Sequence, residues 1–230
     1  DRILLKRRGT YRGQIILGTS GTPSQPITVG AYGTGDLPVI KGSDLVTGWS
    51  NYQGNIWRAP VGSKVDQVYI AGQRMNLARY PNSGWLRNNQ GGGTQLHSND
   101  LTQPNGYWTG ATAVVRSSSS SFDTLPVTGY SNGTLTFGAP TLNMGTDPWG
   151  FYLRNKLVLL DSPGEWYYDA VAHQLYLWAP GNANPNGLTV EAAVYWSGVD
   201  CYWHRDNLRV ENIAFRHQRL AGVFNDVAFH

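Results

Sequence analysis

Over the first 48 residues apolar positions fall in short runs, Ile3–Lys6, Gln14–Leu17, Ile27–Ala31 and Val39–Lys41, about ten residues apart with glycines between. The runs do not alternate strictly between apolar and polar. Strands of stacked parallel sheets read this way, because little of either face meets water. Three short strands per turn of roughly 20–25 residues are what one coil of a parallel β-helix requires. No stretch combines a clean 3.6-residue period with a cap, so helices of any length are not expected.

Between residues 49 and 187 the texture changes. Strands lengthen, alternate better and are joined by hairpin signals. Thr128–Ser131 and Thr134–Phe137 flank Asn132-Gly133, a dipeptide suited to a type I′ turn because both central residues need positive φ. The same residues form a glycosylation sequon with Thr134, discounted because it sits in a tight turn. Glu165–Asp169 and Gln174–Trp178 form a second predicted hairpin, and the region as a whole predicts an antiparallel barrel or sandwich. Gly91–Gly93 and Ser117–Ser121 read as exposed, mobile loops.

From residue 188 the first texture returns. Leu188–Ala193, Val199–Trp203, Leu208–Phe215 and Ala221–Phe224 read as coil strands with polar corners. Asn212 falls near a bend, where stacked asparagines can hydrogen-bond along the helix axis. The pattern stops in mid-coil at His230, and a solenoid needs several coils and a cap. The chain therefore reads as a fragment, or as one whose helix continues in another chain. The expected architecture is all-β: right-handed parallel β-helix coils over 1–48, an inserted antiparallel β-domain over 49–187, and resumed coils over 188–230.

Composition narrows the class. Charged residues make up 14% of the 230, beside 28 Gly, 12 Pro, 9 Trp and 13 Tyr. Low charge with many turn formers and aromatics suits an all-β extracellular protein and excludes a disordered chain. The net charge of +3 comes from scattered basic residues, apart from Lys6-Arg7-Arg8 at a strand end. Nucleic-acid binding would want a dense basic stripe, which is missing. A weak pull on acidic glycans is compatible. No apolar run approaches the ~18–20 residues that span a bilayer. No leader pattern opens at Asp1, so a secreted protein would be in mature or trimmed form. Cys201 is the one cysteine, so no internal disulfide forms; in a secreted protein this points to a bacterium rather than a small stapled domain. Cys201 reads as a small buried residue, since His204 alone is slender support for a nucleophile.

Several segments resemble a known family. Leu4–Gly13, Pro26–Gly33 and Pro38–Ser43 look like the opening coils of bacterial right-handed parallel β-helix proteins of the pectate-lyase-like group. Val68–Asn82 and Leu160–Asp169 with Leu175–Trp178 are similar to the same proteins. The resemblance implies an antiparallel β-domain inserted after the first coils, then the main helix. It implies a secreted protein acting on a polysaccharide, as a lyase or a glycoside hydrolase. The group also contains epimerases and proteins without chemistry, so the fold leaves the activity open. Its catalytic residues usually lie on central coils, which would fall mostly after residue 230. The alternative is a non-catalytic extracellular module that binds glycan or builds filaments through open coil ends.

The segment from Asp200 to Arg219 holds the most titratable groups. A uronate lyase needs a base and a cation that neutralises the substrate carboxylate, supplied by Arg or Ca²⁺. A hydrolase needs two carboxyls flanking the glycosidic bond. On coils stacked ~5 Å apart, Asp200, Glu211 and Asp226 could form such pairs, with His204 as a base and Arg216 as a substrate cation. They could equally be solvated corner charges. A resident metal has little support, because no HxH or HxxxH pair occurs and His204 and His217 are far apart in sequence. In the inserted region Arg79, Asn82 and Trp85 suggest a sugar platform, or else a strand end whose arginine ties carbonyls. Trp85, Trp108 and Trp149 sit beside Gly, Pro or loop residues and are expected to be exposed; Trp166 and Trp178 are expected in the core. Asp161 is expected to cap the Pro163-Gly164 turn.

Overall fold

The computed structural model describes residues 1–139 and 149–225, and those residues are all-β with three short 3-10 turns. Asp226 lies outside them. No helix among them is long and apolar enough to cross a membrane. The chain divides into two compact units. One comprises Asp1–Trp49, Ala59–Met75 and Pro185–His230; the other comprises Ser50–Arg58 and Asn76–Asn184.

The first unit contains three parallel sheets, each with one strand from each of three coils. The first joins Arg2–Lys6, Ile27–Tyr32 and Leu208–Val210. The second joins Thr10–Arg12, Val39–Lys41 and Ala214–Arg216. The third joins Ile15–Ile16, Ser197–Asp200 and Ala221–Phe224. The second coil is thus interrupted after Val39–Lys41 and completed by Ser197–Asp200, more than 150 residues later in the chain. Leu17, Val29, Ile40, Val199 and Cys201 form the buried centre between the sheets. Burial, with Asp200 nearby, pushes the Cys201 thiol above its ordinary value, so it is an unreactive core residue.

Two readings of this region change. Leu188–Ala193 is not a coil strand. Val190–Ala193 lies between Gln67–Ile70 and Ser43–Leu45 in a four-stranded antiparallel sheet, which runs on from the second coil through Gly42. Short apolar runs look alike in both settings, and only the pairing partner separates them. Leu208–Phe215 is two strands, broken at Asn212, whose φ is 57°. The other coils turn this corner with Arg8 at φ 64° and with Gly33 and Gly35, so no asparagine stack forms among the described residues.

The second unit holds a five-stranded and a seven-stranded sheet. The seven-stranded one runs Arg79–Tyr80, Phe151–Arg154, Thr112–Arg116, Phe122–Ser131, Thr134–Phe137, Gln95–His97, Gln90–Gly92. Both predicted hairpins form. Asn132 and Gly133 have φ of 47° and 75°, as the tight turn requires. Gly91 and Gly92 belong to an edge strand rather than a loop, and Ser117 is buried. The core under this sheet includes Leu96, Trp108, Leu135, Phe151 and Leu153.

Candidate functional site

Alternation along Phe151–Arg154 turns Phe151 and Leu153 into the core and Tyr152 and Arg154 outward. Register places Val114 beside Tyr152, and Phe122 beside Arg116. Trp85 is brought to this outer face by the bridge between Leu86 and Phe151. The approach depends on Gly150, whose φ is 98° and where a Cβ would stand 2.8 Å from the Leu86 carbonyl oxygen and 2.9 Å from Trp85 Cβ. The Trp85 ring centre lies 5.1 Å from Tyr152 and 5.8 Å from Phe122. Trp85 and Phe122 remain 40% and 55% exposed. The Arg79 guanidinium sits 4.0 Å from the Tyr152 ring centre, and that of Arg116 lies 4.6 Å from Trp149. The result is an exposed aromatic platform on rigid strands, with its arginines stacked on rings.

The polar members of the predicted platform are otherwise engaged. Arg79 Nε donates to the Pro81 carbonyl, and Nη2 donates to that of Gly84. Burial, opposed by Tyr152, pulls this guanidinium below its ordinary value. Asn82 Nδ2 donates to Asp161 Oδ1 at 2.8 Å. Both side chains hold the loop that presents Trp85. Trp108 is a correction: it is 1% exposed, packed against Tyr80 and Tyr107, with its indole N–H on Gln103 Oε1. Flanking glycine suggested a surface loop, but the aromatic bulk found the core. Trp149 is half-buried beneath Arg116. Phe122 and Tyr152 were not singled out, although both sit at outward positions of well-alternating strands.

In the first unit the proposed trio is dispersed. Asp200 ends a strand of the third parallel sheet and accepts from Gln14 Nε2 at 2.8 Å. Glu211 follows a strand of the first sheet, half-exposed, 3.9 Å from Arg209. His204 sits in an exposed turn with φ 49°. Asp200 and Glu211 therefore lie on different faces of the coil and do not form a carboxyl pair. Arg216 is exposed and in register with Lys41, which is itself in register with Arg12, making a three-cation row on the second sheet. Among the described residues no group of three His, Cys, Asp or Glu is arranged to hold a metal.

Glu191, which sequence reading passed over, is the carboxylate with the most hydrogen bonds shown among the described residues. It is 1% exposed in the antiparallel sheet. It accepts from Arg12 Nη1 at 2.6 Å, Lys41 Nζ at 2.9 and 3.0 Å, and Ser43 Oγ at 3.2 Å. His217 Nδ1 is 3.6 Å away, its ring stacked on Tyr69. A lone Glu within Thr189–Ala193 was the available signal, since a charge amid apolar strand residues must have partners.

Glu165 has the other unusual environment. Burial pushes its carboxyl up to about 6, and the negative Asp161 adds to this, against N–H bonds from Asp161 and Ser162. Both of those N–H groups donate to Glu165 Oε2, so Glu165, not Asp161, caps the turn. A raised carboxyl suits a general acid, but a residue 3% exposed cannot reach a polysaccharide. The raised value means that its contribution to stability is present below about 4.5 and is lost as pH rises through about 6. Carboxyl-carbon NMR is expected to show Glu165 titrating near 6, with the midpoint falling in Asp161→Asn as the like charge is removed.

No curated protein sequence matches the chain. A family model, the GH141 insertion domain, matches residues 134–180, which run from the second unit's Asn132-Gly133 hairpin to the end of Gln174–Trp178. A solved glycoside hydrolase superposes with a TM-score of 0.74 at 19% identity, over 94% of this chain and 43% of its own. A structure of XylC in complex with xylose gives 0.52 at 18%, over 96% and 31%. The chain spans less than half of either solved chain, and at these identities the likeness concerns architecture.

Proposed function

We propose that this chain is the N-terminal part of a secreted, right-handed β-helix glycoside hydrolase, and that the inserted domain contacts its polysaccharide. The observation that carries the reading is the Trp85–Phe122–Tyr152 platform, set in a fold whose likeness extends over nearly the whole chain to a glycoside hydrolase. Exposed aromatic faces stack on sugar C–H groups and are otherwise a liability in water. Right-handed winding is what parallel crossovers favour. Hydrolysis is preferred over lyase chemistry, because the insertion-domain match and the structural likeness both point to glycoside hydrolases.

A second reading, a stretch that binds glycan without turnover, is favoured by the separation of Asp200 from Glu211. On the first reading the catalytic carboxyls belong to further coils of a longer protein, and the exposed Arg216 attracts acidic substituents. The test is incubation of this chain, and of a longer protein containing it, with plant, algal and bacterial polysaccharides. New reducing ends without unsaturated-uronate absorbance from the longer protein support a hydrolase; with that absorbance they indicate a lyase. Trp85→Ala and Phe122→Ala are each expected to weaken polysaccharide retention in affinity gels about tenfold, roughly 1.4 kcal/mol. Unchanged retention in both would remove the platform from the account.

A further inference from the structure

The second unit carries a groove of about 590 Å³ apart from the aromatic platform, within the roughly 300–1,000 Å³ of small-ligand sites. Tyr52, Gln53, Asn55, Val158 and Trp178 line it. Ile56, Leu157 and Leu160, which belong to or pack against the core, line it too. Trp178 was expected to be buried, yet it is half-buried and lines this groove.

Both rings are held in place. Pairing of Ser50–Gln53 with Ile56–Pro60 shifts register between Asn51 and Gln53, leaving Tyr52 as the extra residue of a bulge. Bulges re-aim a side chain, and here the ring meets Tyr176 edge-on at 5.1 Å. Asn51 Nδ2 ties the adjoining turn through the Gly54 carbonyl at 2.8 Å. The Trp178 indole N–H donates to Asn182 Oδ1 at 2.8 Å, which fixes the ring plane.

We propose that this groove binds a neutral sugar chain, with sugar faces on Tyr52 and Trp178 and hydroxyls bonded by Gln53 and Asn55. The proposal rests on the carbohydrate reading above and adds a second contact region within the same inserted domain. Among the described residues, none that lines the groove is charged, which fits a neutral ligand; an acidic sugar would lose its hydration there without a cation in the walls. The Arg58 guanidinium lies over the Tyr52 ring, 5.6 Å from its centre, and is outside the lining. An apolar segment is a poorer occupant, because it would cover Gln53 and Asn55 without satisfying their amides.

The test is titration of the chain with neutral xylo-, gluco- and manno-hexasaccharides and with a galacturonate hexamer, following indole N–H signals by NMR. At least one neutral chain is expected to shift the Trp178 N–H saturably. Tyr52→Ala is expected to weaken that response at least tenfold. Val158→Arg, at a position 54% exposed, is expected to abolish it while the buried Trp108 and Trp166 signals stay in place. A response at Trp85 with Trp178 unmoved overturns the groove and leaves the carbohydrate reading standing. No indole response to any sugar overturns both. Galacturonate moving Trp178 as strongly as the neutral chains overturns the assignment to neutral sugars.

Discussion

Glu191→Ala is expected to lower the unfolding free energy by about 3–5 kcal/mol, a large share of a domain's typical stability of about 5–15. The carboxylate is buried and takes bonds from Arg12, Lys41 and Ser43, which lie in or just after the second parallel sheet. Removing it leaves Arg12 and Lys41 adjacent in register, their side chains 27% and 19% exposed, with no carboxylate between them. Like charges directly opposite in a sheet repel, and at partial burial water screens them poorly. Glu191→Gln should lose nearly as much, because the charge rather than the volume is what the two cations need. Urea denaturation measures both; a loss below about 1 kcal/mol in each would mean that solvent reaches the cluster.

The same cluster sets an acid dependence. Burial by itself would raise the Glu191 carboxyl, but bonds from Lys41 and Arg12, and their charges, hold it below its ordinary 4.5. Burial lowers His217 below its ordinary 6.5, with Glu191 opposing and Lys41, Arg216 and Arg12 assisting. Each group binds protons more readily in the unfolded chain, so each contributes stability above its ordinary value that is lost as pH falls through the lowered one. Stability of the wild type should decline from about pH 6.5 downward, and decline less steeply below 4.5 in Glu191→Gln. Identical slopes there would remove Glu191 from the acid response.

Gly198→Ala is the second large effect, expected at about 1–3 kcal/mol and toward the upper end. Gly198 and Gly222 fall opposite each other on successive coils of the third sheet, between the pairs Ser197–Ala221 and Val199–Val223. The Phe215 ring rests on both. A Cβ at Gly198 would lie 2.3 and 2.5 Å from ring atoms and 2.8 Å from the Gly222 carbonyl oxygen. Backbone on one side and a packed ring on the other leave no small adjustment. Phe215→Leu should reduce the added cost of Gly198→Ala by relieving the ring contact, so a double-mutant cycle is expected to show coupling. Strict additivity would mean that the ring is not what excludes a side chain there.

These residues also mark how far the chain could be read in advance. Val39–Lys41 and the Asn132-Gly133 hairpin were legible because period and turn chemistry are local: residues a few positions apart dictate them. The all-β class, the coil-like runs and the antiparallel insertion followed from the same signals. Trp108 was misplaced because a flanking glycine says that the backbone turns, not whether the neighbouring ring finds a core. Val190–Ala193 was assigned to the wrong sheet because an apolar tetrapeptide carries no mark of its partner. The sugar platform was half visible in Arg79, Asn82 and Trp85, but Tyr152 and Phe122 join it only through strand register.

Local patterning thus dictates where strands run, which positions alternate and where the chain must turn. Which distant residues meet is settled only once the chain is folded. Glu191 finds Arg12 across 179 positions, and Phe215 finds two glycines on neighbouring coils. A period of two specifies the face a side chain takes, whereas the strand lying opposite is selected by packing and charge summed over the whole chain.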